Sequence, residues 1–414
     1  MSDILNLKSS IESDESITGI QYHSYNAYMN AFENNDEIRI SIQQQDLYIL
    51  PHKSFIYIEG VIEKKQNVTQ DTQVQVPNLI NNFASFLFDE IRYELNGFEI
   101  DRCKNVGITS TMKGLVSFRP SDMNSLKIAT WLTSKEDEIE AKIGPFNCCI
   151  PLHILLGFAE DYRKMIINSK HELILVRSRN DINCFNGSND NIKIKLHKVQ
   201  WKIPHIQVSD RARLTLLKYV EKKQPIHMAF RTWELYEYPT LPQTDRHVWS
   251  VKTSNNLNKP RYIILGFQTN RKNVIYKNAG NFDHCDISDI KLHLNSEYYP
   301  YENLNVNFND DQYSLLYNMY IKFQESYYNR FDDASPLLTL EKFKSNAPLF
   351  VFDCSRQNES LKNSMVDIRI EIEARSNIPA ITSAYCLIIN DNIISYNPYT
   401  NTVHKSTTTT TTTT

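Results

Sequence analysis

The chain has 414 residues, 41% hydrophobic and 11% aromatic, with 45 basic and 48 acidic side chains for a net charge of −3. That length exceeds one ordinary core and suits two domains of about 150–200 residues. The near-neutral charge argues against strong direct nucleic-acid binding, and no apolar run approaches the roughly 18 residues of a membrane span.

Residues 1–36 read as an acidic, polar arm with scattered aromatics (Tyr22, Tyr25, Tyr28, Phe32), without the basic-then-apolar layout of a secretory signal. Ile38, Ile40 and Ile42 then alternate with polar neighbours, the mark of a half-buried strand. Asp46–Leu50 and Phe55–Ile62 continue the pattern, split by Pro51. In Phe86–Asp101 two alternating runs meet at Asn96-Gly97, a strong hairpin signal because both residues tolerate positive φ. Folding there pairs Leu95 with Phe98, Tyr93 with Ile100 and Arg92 with Asp101. Glu94 falls opposite Glu99, a like-charge pair needing cover.

Pro151–Ile166 changes to helical spacing (Leu152, Leu155, Leu156, Ala159, Tyr162), so a short helix or helical loop is expected. Ile192–Ile203 alternates, slips by one residue near His197-Lys198 and resumes, which predicts a β-bulge. Ser209 offers an N-cap to a helical linker at 209–224, with Leu214 and Leu217 on one side. Beyond it, Phe230–Tyr238, His247–Thr253, Arg261–Thr269 and Val366–Ala374 read as strands, and 309–328 as a helix. Tyr385–Ile389 and Ile393–Tyr396 suggest a final hairpin around Asn390-Asp391-Asn392. Eight threonines, Thr407–Thr414, close a tail (400–414) that cannot supply a core. Many short strands with few helices, in two halves (37–208 and 225–399), predict two all-β sandwich or barrel domains in series.

Recognisable chemistry is sparse. The ten glycines are never closer than seven positions, which excludes GxGxxG, GxxxxGK[ST] and GxSxG. HExxH is absent too. Asp283-His284-Cys285-Asp286 with Asp289 carries ligand types that suit zinc, but a polar loop with a buried thiol is the plainer reading. The same holds for His153 as a core histidine and for Glu136–Glu140 as a solvated acidic loop. Seven cysteines, an odd number with no CxxC, point to reduced thiols inside cells. The 23 tyrosines fit core packing and protein–protein contact better than base stacking. No catalytic residue, cofactor site or metal site is therefore assigned.

Four stretches, Ile42–Gly60, Arg92–Arg102, Pro151–Ile166 and Arg261–Arg271, resemble double jelly-roll major capsid proteins of small eukaryotic DNA viruses and Polinton-like elements, including copies integrated in invertebrate genomes. The resemblance spans about residues 20–400. It implies an all-β fold of two tandem jelly rolls and no enzyme activity. It further implies self-association as a homotrimer of pseudo-hexameric outline that tiles an icosahedral shell. Penton and minor capsid proteins would be further partners, and the virion, assembled inside cells, the location. A domesticated copy would instead keep the fold as a protein- or glycan-binding module.

Overall fold

The alternation at Glu37–Ile42 passes directly into structure: Ile38, Ile40 and Ile42 are fully buried while the residues between them face outward. The computed structural model describes residues 16–43, 48–64, 77–132, 143–187, 192–252, 259–295, 297–331, 333–356 and 366–405. Among these, eight principal strands stand in each half of the chain. In the first half they are Ile17–Asn26, Glu37–Ile42, Phe55–Lys64, Phe88–Leu95, Phe98–Lys104, Gly144–Pro151, His171–Arg177 and Ile192–Val208. In the second they are Ile226–Tyr238, Arg246–Val251, Lys259–Thr269, Ile287–Leu294, Glu297–Tyr299, Phe350–Asp353, Ile368–Ala374 and Thr382–Asn397.

Counted one to eight in each half, the strands form one sheet in the order 1-8-3-6 and a second in the order 2-7-4-5. Both halves obey the same order, with antiparallel pairing throughout. This is the strand order of a jelly roll, and the chain folds as two of them. Alternate residues of the facing sheets fill the cores. Ile56, Ile58, Trp201 and Ile203 are examples in the first roll, and Ile264, Leu387, Ile370 and Leu292 in the second.

Several expectations hold. Residues Leu196 and Lys198 flank a register shift in the Ile192–Val208 strand, where the bulge was expected. Ser209 caps the helix Asp210–Glu221 by accepting from the Ala212 N–H. The helix expected at 309–328 spans Ser314–Tyr328.

Other expectations are corrected. The acidic arm contains the first strand of the first roll: Ile17–Asn26 pairs with Ile192–Val208 although most of its side chains are exposed. Backbone pairing, which leaves no apolar alternation to read, holds it there. Asn390-Asp391-Asn392 forms no turn. Thr382–Asn397 is one unbroken strand, with Asn390 opposite Thr232 and Asp391 opposite Arg231. Asp391 also bonds Arg261 on its other neighbour, so its polarity is satisfied inside the sheet. The chain turns only after Asn397, and Thr402–Lys405 adds a short further strand. The threonine run lies outside the described residues. Pro151–Ile166, by contrast, is helical as expected, with a 3-10 helix at Leu152–Ile154 and a short α-helix at Gly157–Asp161 before strand residues Ile166–Ile167.

The Asn96-Gly97 hairpin forms as expected, with φ of 51° and 79° at its two residues. Leu95 pairs Phe98 and Glu94 pairs Glu99, but a bulge then sets Tyr93 opposite Asp101 and Arg92 opposite Arg102. The bulge turns Asp101 inward, where it is 4% exposed. Arg92, 3.2 Å from Glu94, relieves the like-charge pair.

Candidate functional site at the seam between the rolls

In both rolls the connection from strand five to strand six carries a helix, Val106–Ser117 in the first and Ser314–Tyr328 in the second. These two helices meet. Tyr320 Oη donates to the Leu115 carbonyl at 2.7 Å, and Gln324 Nε2 donates to the Phe118 carbonyl at 3.1 Å. The Val106–Ser117 helix gives little sign of itself in sequence. Every residue in it is buried, so it has no polar face, and it contains two glycines and several β-branched residues. Its glycines permit close packing: a Cβ at Gly107 would lie 2.3 Å from the Phe86 ring, and one at Gly114 2.3 Å from Trp131.

That helix carries one charge, Lys113, aimed into the seam. Lys113 Nζ lies 3.2 Å from Glu160, 2.8 Å from Ser117 Oγ and 3.0 Å from Tyr328 Oη. It also sits over the rings of Tyr327 at 4.3 Å and Trp233 at 4.6 Å. Glu160 stands at the Gly157–Asp161 turn and accepts from Tyr327 Oη at 2.7 Å and from Tyr328 Oη. Next to it, Asp161 accepts both the Nε and the backbone N–H of Arg231 at 2.8 Å, and the Arg231 guanidinium lies 3.5 Å over the Tyr327 ring. Three residues from the first roll, Lys113, Glu160 and Asp161, are thus clasped by Arg231, Trp233, Tyr327 and Tyr328 from the second.

The electrostatics follow from burial. Desolvation pulls the Lys113 ammonium down to about 8, only partly opposed by Glu160. For Glu160, burial pushes upward, but Lys113 and the two phenols outweigh it and hold the carboxyl below its ordinary value. Gly157 lets the turn reach this position, since a Cβ there would lie 1.8 Å from the Arg231 carbonyl oxygen. Further bonds tie the rolls elsewhere. Asn96 Nδ2 donates to the Asn401 carbonyl at 3.0 Å, so the hairpin turn also docks on the second roll. Tyr396 Oη donates to the carbonyls of Ile167 and Asn168.

The sequence-level metal candidates do not converge. Asp283 is bound to Arg271, His284 Nδ1 accepts from the Asp286 N–H, and Asp289 accepts from the Leu304 N–H. Cys285 Sγ faces Thr269 Oγ1. Among the described residues, no three potential ligands form a metal cluster. His153 is half-buried beside His52, and burial lowers its pKa to about 4. Glu136–Glu140 lies outside the described residues. All seven cysteines are free, and burial pushes each thiol upward, Cys149 among them. The exposed aromatics gather at loop and edge positions: Tyr298 and Tyr301 stack at 5.9 Å with Tyr301 82% exposed, and Phe331, Tyr276, Tyr22 and Tyr28 are also open. The seam leaves almost no mark in the sequence. Its one signal there was Lys113, the only charge between Lys104 and Arg119.

Two eight-stranded rolls of one topology joined through a buried ionic seam define a double jelly-roll protein. The chain belongs to the double jelly roll-like domain family, whose model matches residues 77–394. It is similar in fold to VP54 of the virus PBCV-1, as fitted into a reconstruction of the virophage Sputnik. The TM-score is 0.61 at 9% identity, over 96% of this chain and 99% of that one. The Faustovirus major capsid protein aligns with a TM-score of 0.58 and 9% identity over 94% and 92% of the two chains. For the mavirus major capsid protein the values are 0.53 and 11%, over 99% and 93%. No curated protein matches the sequence.

Proposed function

We propose that the chain is a capsid-building structural protein that self-associates as a homotrimer and tiles a shell. The observation that carries this reading is the duplicated strand order held by the seam. Threefold association of a chain with two copies of one unit presents six such units around the axis, which suits close packing on a lattice. The fold shared with major capsid proteins supports it. So do the exposed aromatics, since such residues are enriched at protein contacts, and the net charge of −3, because dense like charge opposes assembly. On this reading the role is structural rather than catalytic, the location is the virion, and penton and minor capsid proteins are neighbours.

Light scattering on the purified protein, followed by negative-stain imaging, tests it. The expected species is near 145 kDa, three times the 48.4 kDa chain, with a pseudo-hexagonal outline. A folded 48.4 kDa monomer at high concentration overturns the capsid role and turns attention to a binding function.

A further inference from the structure

The helix Asp210–Glu221, between the last strand of the first roll and the first strand of the second, buries none of its residues. Ala212, Leu216 and Val220 are half-buried on one side. Leu214 and Leu217 on another are 60% and 48% exposed. Arg211, Arg213, Lys218, Lys222 and Lys223 stand on or just past the helix against only Asp210 and Glu221. Among the described residues none of Arg211, Arg213, Lys218 and Lys222 faces a carboxylate partner. An apolar pair framed by unmatched cations is a surface that lacks its cover.

The first fifteen residues match that surface. They carry Asp3, Glu12, Asp14 and Glu15 against the single Lys8, and they place Ile4, Leu7 and Ile11 at three- and four-residue spacing. Their point of departure is also right, because the Ser209 N–H donates to the Ser16 carbonyl at 2.9 Å. The segment therefore leaves the fold at the first turn of this helix. Fifteen residues can reach about 50 Å, whereas twelve helical residues span about 18 Å. Ser16 is thus held at the first turn of the helix, the end where Arg211 and Arg213 stand and where anions are favoured. We propose that residues 1–15 dock along the exposed Leu214–Leu217 face of the Asp210–Glu221 helix of their own chain, acidic side chains on its basic ones. The tether keeps the segment at a high effective concentration, so a modest intrinsic affinity suffices. This is independent of the capsid reading.

Hydrogen exchange read by mass spectrometry on the full-length protein tests it, with the Leu214→Asp/Leu217→Asp variant as comparison. Both leucines are exposed, so the fold persists, and circular dichroism checks that it does. Amides of residues 4–11 are expected to exchange about tenfold or more faster in the variant. Arg211→Glu/Arg213→Glu is expected to release the segment as well, and Asp14→Lys/Glu15→Lys in the same chain to restore protection. Equal exchange in the native and variant proteins overturns the proposal, whether fast or slow. Protection that appears only at concentrations where chains associate overturns the intrachain assignment. Unprotected residues 4–11 with a helix that binds phosphatidylserine vesicles equally with or without residues 1–15 would make it a membrane-facing element instead.

Discussion

Replacing Lys113 by methionine isolates the seam. The Lys113 and Glu160 side chains are 3% and 12% exposed, and removing one partner of such a pair leaves a buried charge uncompensated, at a cost of about 3–5 kcal/mol. Glu160 keeps two tyrosine donors and has Arg231 nearby, so the lower end, about 3 kcal/mol, is expected. Lys113 itself is held near 8 rather than 10.5, so its surroundings as a whole, Glu160 included, disfavour the charged form by roughly 3 kcal/mol. Removing both charges, as Lys113→Met/Glu160→Gln, should then cost only about 1 kcal/mol, well below the sum of the single changes. The sign with pH is also set. Between about 8 and 10.5 the unfolded chain holds the Lys113 proton more tightly than the folded one, so stability should rise with pH across that window, and the methionine variant should lose the rise. Glu160 contributes stability above its unfolded pKa that is lost as pH falls; without Lys113 that contribution should shrink. Urea unfolding of the four proteins at one concentration, followed by tryptophan fluorescence with Trp233 4.6 Å from Lys113 as a reporter, measures all of this. Single-variant costs that add to the double within about 0.5 kcal/mol would refute the reasoning.

Gly157→Ala should destabilise by about 3 kcal/mol or more in a thermal melt, because its Cβ would strike the Arg231 carbonyl. Gly97→Ala, with φ of +79° and open space around it, should cost only about 1 kcal/mol. Asp101, raised to about 7 chiefly by burial, binds its proton more tightly folded than unfolded. Stability should accordingly fall as pH rises from about 4 to 7, and Asp101→Asn should flatten that stretch of a pH–denaturation curve. Titration of the native protein with a thiol reagent should modify Cys149 first, since it alone of the seven is not fully buried, with the other six reacting only on unfolding.

The strands with one wet face were legible because burial writes a two-residue period into them, as at Glu37–Ile42 and Ile368–Ala374. The bulge near His197 was legible as a slip in that period, and the Asn96-Gly97 turn by its tolerance of positive φ. The resemblance to capsid proteins supplied the double roll, which periodicity alone left among several topologies. Elements whose environment is uniform left no such mark. Ile17–Asn26 is mostly exposed and Val106–Ser117 wholly buried, so neither alternates. At Asn390–Asn392 local turn chemistry pointed one way, and neighbouring strands with Arg261 in reach decided the other. The seam lies furthest beyond the sequence. Lys113, Glu160, Arg231 and Tyr327 stand tens to hundreds of positions apart, and their charges and phenols acquire partners only when the two rolls bring helix, turn and strand together. What local side-chain pattern encodes is the sheet. What ties one roll to the other includes the hydrogen bonds and ring contacts that those groups make with each other, partners that only the tertiary fold supplies.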